Sequence, residues 1–205
     1  VLSDLDLDGH SVLFVSTDTQ ENFVLYGVDG GGFEEGDNWF NWTGRIAFSA
    51  APGDFNADGK HDLPVAYPGI ESVSILPGNG DGTFGLGEFY GAGDHLVALA
   101  AVDLNGDQRL DLAAGHAFTT ILGPSAPGCC PALDKVSVLL GKADGTFEVI
   151  DQVGPQLPAS AAVAGDFNAD GKQDLAVAYA GAESVSILPG NGDGTFGLGE
   201  FYGAG

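Results

Sequence analysis

The chain has 205 residues, with 29 acidic side chains against six Lys and Arg and a formal charge of −23. That balance excludes nucleic acid as a partner, because a protein that grips phosphate backbones needs a basic footprint. Thirty-four Gly and ten Pro exclude long helices in favour of many short strands, and no apolar stretch is long enough to span a membrane or to read as a signal peptide.

In chain order, an acidic loop comes first, Asp4-Leu5-Asp6-Leu7-Asp8-Gly9-His10, followed by a degenerate glycine turn, Asp29-Gly30-Gly31-Gly32-Phe33. Asn41-Trp42-Thr43 fits a glycosylation sequon, a triplet that also arises often by chance. Trp39 and Trp42 suit either packing between sheets or a stacking platform, and packing is the commoner use. An apolar run over 46–50 leads into a second acidic loop, Asp54-Phe55-Asn56-Ala57-Asp58-Gly59-Lys60-His61-Asp62, and another over 63–67 leaves it. Ser72-Val73-Ser74-Ile75-Leu76 alternates with the period of a half-buried strand. The turn Gly80-Asp81-Gly82-Thr83-Phe84 supplies the positive φ of a tight hairpin, and Glu88-Phe89-Tyr90 makes a fourth strand.

The same order returns twice. Runs over 96–102 and 110–114 flank Asp103-Leu104-Asn105-Gly106-Asp107-Gln108-Arg109-Leu110-Asp111, with an alternating strand over 136–140 and a turn over 143–147. Runs over 161–164 and 175–179 flank Asp166-Phe167-Asn168-Ala169-Asp170-Gly171-Lys172-Gln173-Asp174, with a strand over 184–188 and a turn over 192–196. Residues 53–93 and 165–205 differ only at His61/Gln173, Pro64/Ala176, Pro68/Ala180 and Ile70/Ala182. Such self-similarity identifies a repeat protein, with units at 1–44, 45–93, 94–156 and 157–205.

Carboxylate and amide oxygens at loop positions 1, 3, 5 and 9, with a backbone carbonyl at 7, form the oxygen-rich set that a hard cation takes. The candidate ligands are Asp4, Asp6, Asp8 and the carbonyl of His10; Asp54, Asn56, Asp58, Asp62 and the carbonyl of Lys60; Asp103, Asn105, Asp107, Asp111 and the carbonyl of Arg109; and Asp166, Asn168, Asp170, Asp174 and the carbonyl of Lys172. The first loop is the weakest of the four, since Val12 stands where a closing carboxylate is expected, and Gln108 in the third implies a tight turn made differently. Three to four structural Ca2+ ions are expected, and the position-7 side chains are expected to point to solvent.

These loops, each followed by an Asp-Gly-Thr-Phe turn or a relic of it, resemble the FG-GAP/VCBS repeats of integrin-α-type calcium-binding β-propellers. The resemblance implies an all-β propeller of four-stranded antiparallel blades, about four in this chain, with fungal-type propeller lectins among its relatives. Because such rings commonly hold more blades, it also implies a part of a larger propeller or self-association that completes the ring. The absence of Met and the abrupt ends agree with a segment of something longer.

Strand connectivity places the remaining loops at the end opposite the acidic ones. Tyr67, Glu71, Tyr90, His95, His116, Tyr179 and Glu183 are the candidate ligand-binding residues there, since an aromatic ring covers a sugar's apolar face while short polar groups bond its hydroxyls. Cys129 and Cys130 lie in an insertion over 117–134, and three readings stay open: a vicinal disulfide, which an oxidising compartment favours, two free thiols, or pairing with a missing region. No nucleophile elbow, zincin motif or phosphate loop occurs, so no enzyme is expected. The expected function is an extracellular or cell-surface binding module, multivalent through its repeats, with carbohydrate or an extracellular protein as partner. A protein-adhesion or structural filament module is the alternative.

Overall fold

The computed structural model describes residues 2–6, 8–16, 22–29, 32–35, 49–67, 71–93, 96–116, 136–155, 157, 159–179 and 182–203. Every element in it is a strand. The strands are β1 (Leu2–Ser3), β2 (Val12–Ser16), β3 (Asn22–Val28), β4 (Gly32–Glu35), β5 (Ser49–Ala50), β6 (Leu63–Tyr67), β7 (Ser72–Leu76), β8 (Glu88–Gly91), β9 (Leu96–Val102), β10 (Asp111–His116), β11 (Val136–Gly141), β12 (Phe147–Val153), β13 (Ala159–Gly165), β14 (Asp174–Tyr179), β15 (Ser184–Leu188) and β16 (Glu200–Gly203). They form four sheets of four, β1 to β4, β5 to β8, β9 to β12 and β13 to β16, each strand paired antiparallel with the next in sequence. Four consecutive up-and-down sheets of this kind are the blades of a β-propeller.

Alternation along each strand decides which neighbour a side chain meets. In β6, Leu63, Val65 and Tyr67 pack with Leu5, Val12 and Phe84 at the junction of the first and second blades. Ala66, between them in sequence, packs instead with Leu96, Leu112, Leu139 and Phe147 of the third blade. Leu104, Val136 and Val138 of the third blade meet Leu175, Val177, Tyr179 and Leu188 of the fourth. The inner strand β6 is therefore buried on both faces, as a strand in a sheet sandwiched between two others must be. The first strands of successive blades lie against one another, with the Leu99 N–H on β9 donating to Ser49 Oγ on β5 at 3.0 Å.

The hairpin turns fasten blade to blade. Gly82 has φ +79° and a Cβ there would lie 2.5 Å from the ring of Tyr26, whose hydroxyl donates to the Gly82 carbonyl at 2.8 Å. Gly194 has φ +82° and would meet Leu140 of the preceding blade at 2.7 Å. Asp-Gly at this turn therefore meets two demands: left-handed backbone, and room for the previous blade to touch it.

Candidate metal centre and inter-blade cleft

The four acidic loops share one geometry. In the second, the N–H groups of Asp58 and Gly59 donate to the two oxygens of Asp54, the Asp58 N–H also reaches Asn56 Oδ1, and the Lys60 N–H donates to Asp58 Oδ1. The fourth repeats this through Asp166, Asn168 and Asp170, and the third through Asp103, Asn105 and Asp107. In the first, Gly9 and His10 donate to Asp4 and Asp8. Each loop is thus a nest of Asx turns shaped by bonds from its own carboxylates and amides to its backbone. Gln108 adopts φ +68° where the other loops place Gly at +84° to +88°, so the third loop makes the same turn, not a different one. Its glycine sits two residues earlier, at Gly106, where the second and fourth loops put Ala57 and Ala169 at φ +60°.

The ninth carboxylate does something the spacing did not reveal. Asp62, Asp111 and Asp174 are buried, at 1%, 0% and 0% exposure. Each accepts one backbone N–H from loop position 2, Phe55 at 3.0 Å, Leu104 at 2.8 Å and Phe167 at 3.0 Å. Each accepts a second from a glycine at or just past the end of the blade's third strand, Gly78 at 2.9 Å, Gly141 at 2.7 Å and Gly190 at 2.8 Å. Those glycines press on the loop so closely that a Cβ would lie 2.0 to 2.4 Å from the position-8 carbonyl. In the first blade, where Val12 replaces the carboxylate, the Gly27 N–H donates to that carbonyl, of Ser11, at 3.2 Å. Burial pushes Asp62 above the ordinary carboxylate range and Asp111 up to about 6, against the backbone bonds that favour the charged form.

The position-7 side chains do not simply face solvent. His10 lies 3.2 Å from Asp8 and 3.2 Å from Asp29 at the hairpin of its own blade, and the bond to Asp8 raises its pKa. Lys60 covers Gly80 beside Asp81, Lys172 covers Gly192 beside Asp193, and Arg109 turns back to Asp107 at 2.9 Å. Acidic loop and hairpin turn therefore share one end of each blade.

Among the described residues, ligand atoms of three carboxylates converge within 4.8 Å in the first loop, at Asp4, Asp6 and Asp8. Asp4 Oδ1 and Asp6 Oδ1 are buried without a hydrogen-bond partner, and desolvation, then the charge of Asp8, raises the Asp6 pKa. Buried carboxylate oxygens without donors fit a hard cation. In the other loops the oxygens of Asp58 and Asp170 that accept the position-7 N–H keep a further lone pair, whereas Asp103 Oδ1 and Asp62 Oδ1 each accept two bonds.

The structure disperses the expected ligand residues. Tyr67 and Tyr179 end β6 and β14 at 5% and 4% exposure inside the inter-blade cores, so neither ring can cover a ligand, which corrects that expectation. His116 is equally buried, with Nε2 3.0 Å from Ser137 Oγ. Glu71 and Glu183 are exposed at matching turns with φ +52° and +44°. Tyr90 lies elsewhere, in a cleft of about 210 Å³ between the second and third blades at the acidic-loop end, with Asn56, Leu86, Glu88, Asp144 and Thr146. Its hydroxyl donates to Glu88 at 2.9 Å, its ring meets Phe147 edge-on at 5.2 Å, and burial, then that bond, raises its pKa to about 12. His95, Cys129, Cys130, Trp39, Asn41 and Trp42 lie outside the described residues.

Residues 54–114 match the FG-GAP-like repeat family. Over that stretch the chain is similar to this family. At the level of fold it is similar to an Agrocybe aegerita lectin whose structure explains specific recognition of non-reducing terminal N-acetylglucosamine, with 20% identity, a TM-score of 0.58, and 97% of this chain laid on 50% of that one. It is also similar to the V. cholerae biofilm matrix protein Bap1, at 19% identity and a TM-score of 0.47 over 96% of this chain and 37% of the other. The chain thus spans 50% of the lectin and 37% of the matrix protein. Among the described residues no helix is long and apolar enough to cross a membrane.

Proposed function

We propose that this chain is an extracellular, calcium-stabilised propeller module that binds carbohydrate and performs no catalysis. The observation that carries the reading is the cleft at Tyr90. An aromatic ring and the exposed Leu86 stand beside Asn56, Glu88, Asp144 and Thr146, the pairing of apolar face and short polar groups that a sugar ring requires. Its volume of about 210 Å³ suits one sugar residue rather than a long chain. A propeller fold shared with a lectin supports the same reading. Calcium would be held by Asp4, Asp6 and Asp8 in the first loop and by the side chains at positions 1, 3 and 5 of the others, where it would offset carboxylate repulsion.

A glycan array probed in millimolar calcium tests this proposal. Binding to terminal monosaccharides that falls at least tenfold in Tyr90→Ala is expected; no binding to any glycan would overturn it. That second outcome would favour protein adhesion, a reading suggested by Phe89 and Leu86, which stay 56% and 70% exposed on the outer part of a blade that has neighbours on both sides.

A further inference from the structure

Asparagine precedes glycine at three positions, Asn79-Gly80, Asn105-Gly106 and Asn191-Gly192, and Asp follows the glycine each time. Such a pair is chemically labile, because the glycine nitrogen can close on the asparagine side-chain carbon with no Cβ to obstruct it. The three glycines share one backbone conformation, with φ +79°, +78° and +80°. What separates the pairs is therefore what surrounds their side chains.

Two of the amides are held. Asn79 Nδ2 donates to Thr83 Oγ1 at 2.8 Å and Asn191 Nδ2 to Thr195 Oγ1 at 2.9 Å. The side chains of Lys60 and Lys172 lie over the following glycines, 3.2 and 3.3 Å from where a Cβ would stand. Asn105 is placed differently. Its Nδ2 has no hydrogen-bond partner among the described residues, and a Cβ on the exposed Gly106 would meet nothing within 4 Å. Its Oδ1 accepts the Asp107 N–H at 2.9 Å, and the Gly106 N–H donates to Asp103 Oδ1 at 2.7 Å. A fixed donor thus polarises the amide carbonyl, and the nitrogen that would attack it already shares its proton with a carboxylate.

We infer that Asn105 is a self-modification site, at which the third acidic loop loses its side-chain amide to water. The Gly106 nitrogen bonds to Asn105 Cγ while its proton passes to Asp103 and, through solvent, to Nδ2; the Cγ–Nδ2 bond breaks and ammonia leaves. One water then opens the cyclic imide. Attack at Cγ restores the original backbone and leaves an aspartate, whereas attack at the main-chain carbonyl leaves an isoaspartate whose backbone runs through Cγ. The first product has a counterpart in this chain: Asp6 stands at position 3 of the first loop, so the third would acquire the same three carboxylates. The second lengthens the backbone by a methylene and breaks the turn that Asp103 and Asn105 hold. A cation in the loop opposes both, since it draws on Asp103 and on Asn105 Oδ1, the oxygens that the first step uses. That protection rests on the ion occupying this loop, as proposed above, and the lability of Asn105 does not.

Peptide mapping of the intact chain, aged at pH 8 and 37 °C in chelator and fragmented so that aspartate and isoaspartate are told apart, tests the inference. Amide loss at Asn105 is expected to be at least about tenfold faster than at Asn79 or Asn191, as placement of reacting groups allows, and in urea the three rates should converge. Gly106→Ala should slow the loss at Asn105 by at least about tenfold. That variant keeps the fold, checked by circular dichroism, because the second and fourth loops carry Ala57 and Ala169 at this position with φ +60°. Loss no faster at Asn105 than at the other pairs, or undiminished in Gly106→Ala, would overturn the proposal. Millimolar calcium should slow the wild-type reaction; a rate indifferent to calcium with the preference for Asn105 intact would uphold the modification and remove the ion from the third loop.

Discussion

Asp111 shows how one side chain can carry a task that its spacing does not reveal. Its regular spacing from Asp103 and Asp107 placed it among the cation ligands, yet its two oxygens tie the Leu104 and Gly141 amides together inside the protein. Asn cannot accept both bonds, so Asp111→Asn should cost about 1–3 kcal/mol at pH 7. The pH profile gives a second readout. Unfolded, the carboxyl ionises near 3.8, whereas in the folded chain it holds its proton up to about 6. Between those values folding takes up a proton, so in chelator the wild-type protein should lose stability as pH rises from 4 to 6, and the Asn variant should show a flatter profile. Urea melts at pH 4, 5, 6 and 7 measure both effects; a wild-type stability that climbs over this window would refute the assignment. The tie was illegible in the sequence because Gly141 lies 30 residues downstream and meets the loop only through the sheet. The burial of Tyr67, by contrast, was legible: it shares its parity in β6 with Leu63 and Val65, both core residues.

Strands and turns were the most readable part of the chain, because alternation in 72–76 and 184–188 and the Asp-Gly pairs mark them locally. What those turns touch was not written locally. Gly82 was recognisable as a residue with positive φ; that Tyr26 of the previous blade lies against it emerges only once two sheets are stacked. Gly82→Ala therefore adds a steric conflict to the backbone penalty, and a loss of 2 kcal/mol or more is expected from the two together. A matched substitution, Gly59→Ala, faces the same left-handed backbone with nothing within 4 Å, and should cost only about 1 kcal/mol. Thermal melts of the pair separate packing from conformation; equal losses would show that the contact with Tyr26 contributes little.

The charge of −23 and the four loops set the behaviour of the assembled blades. If each loop holds calcium with the affinity typical of extracellular modules, about 10 mM calcium should stabilise the chain by roughly 1–3 kcal/mol per occupied loop. Differential scanning calorimetry should show the melting temperature rise with calcium, rise less with magnesium, and return with chelator. A melting temperature indifferent to calcium would remove the ion from the reading, and the Asx-turn network would then account for the loops unaided. Asp6→Ala in the first loop should lose one loop's share of the increment.

The near identity of 53–93 and 165–205 reaches beyond the finished structure. While the polypeptide is still collapsing, β6 offers its partner β7 and the distant β15 almost the same edge, and β14 does likewise, so local preference cannot tell the right match from the exchanged one. Only the different neighbours, Leu5 on one side and Leu104 on the other, decide between them, and they do so late. Refolding from denaturant should therefore pass through traps with interchanged strands, a cost that vectorial synthesis avoids by committing the earlier copy before the later one exists.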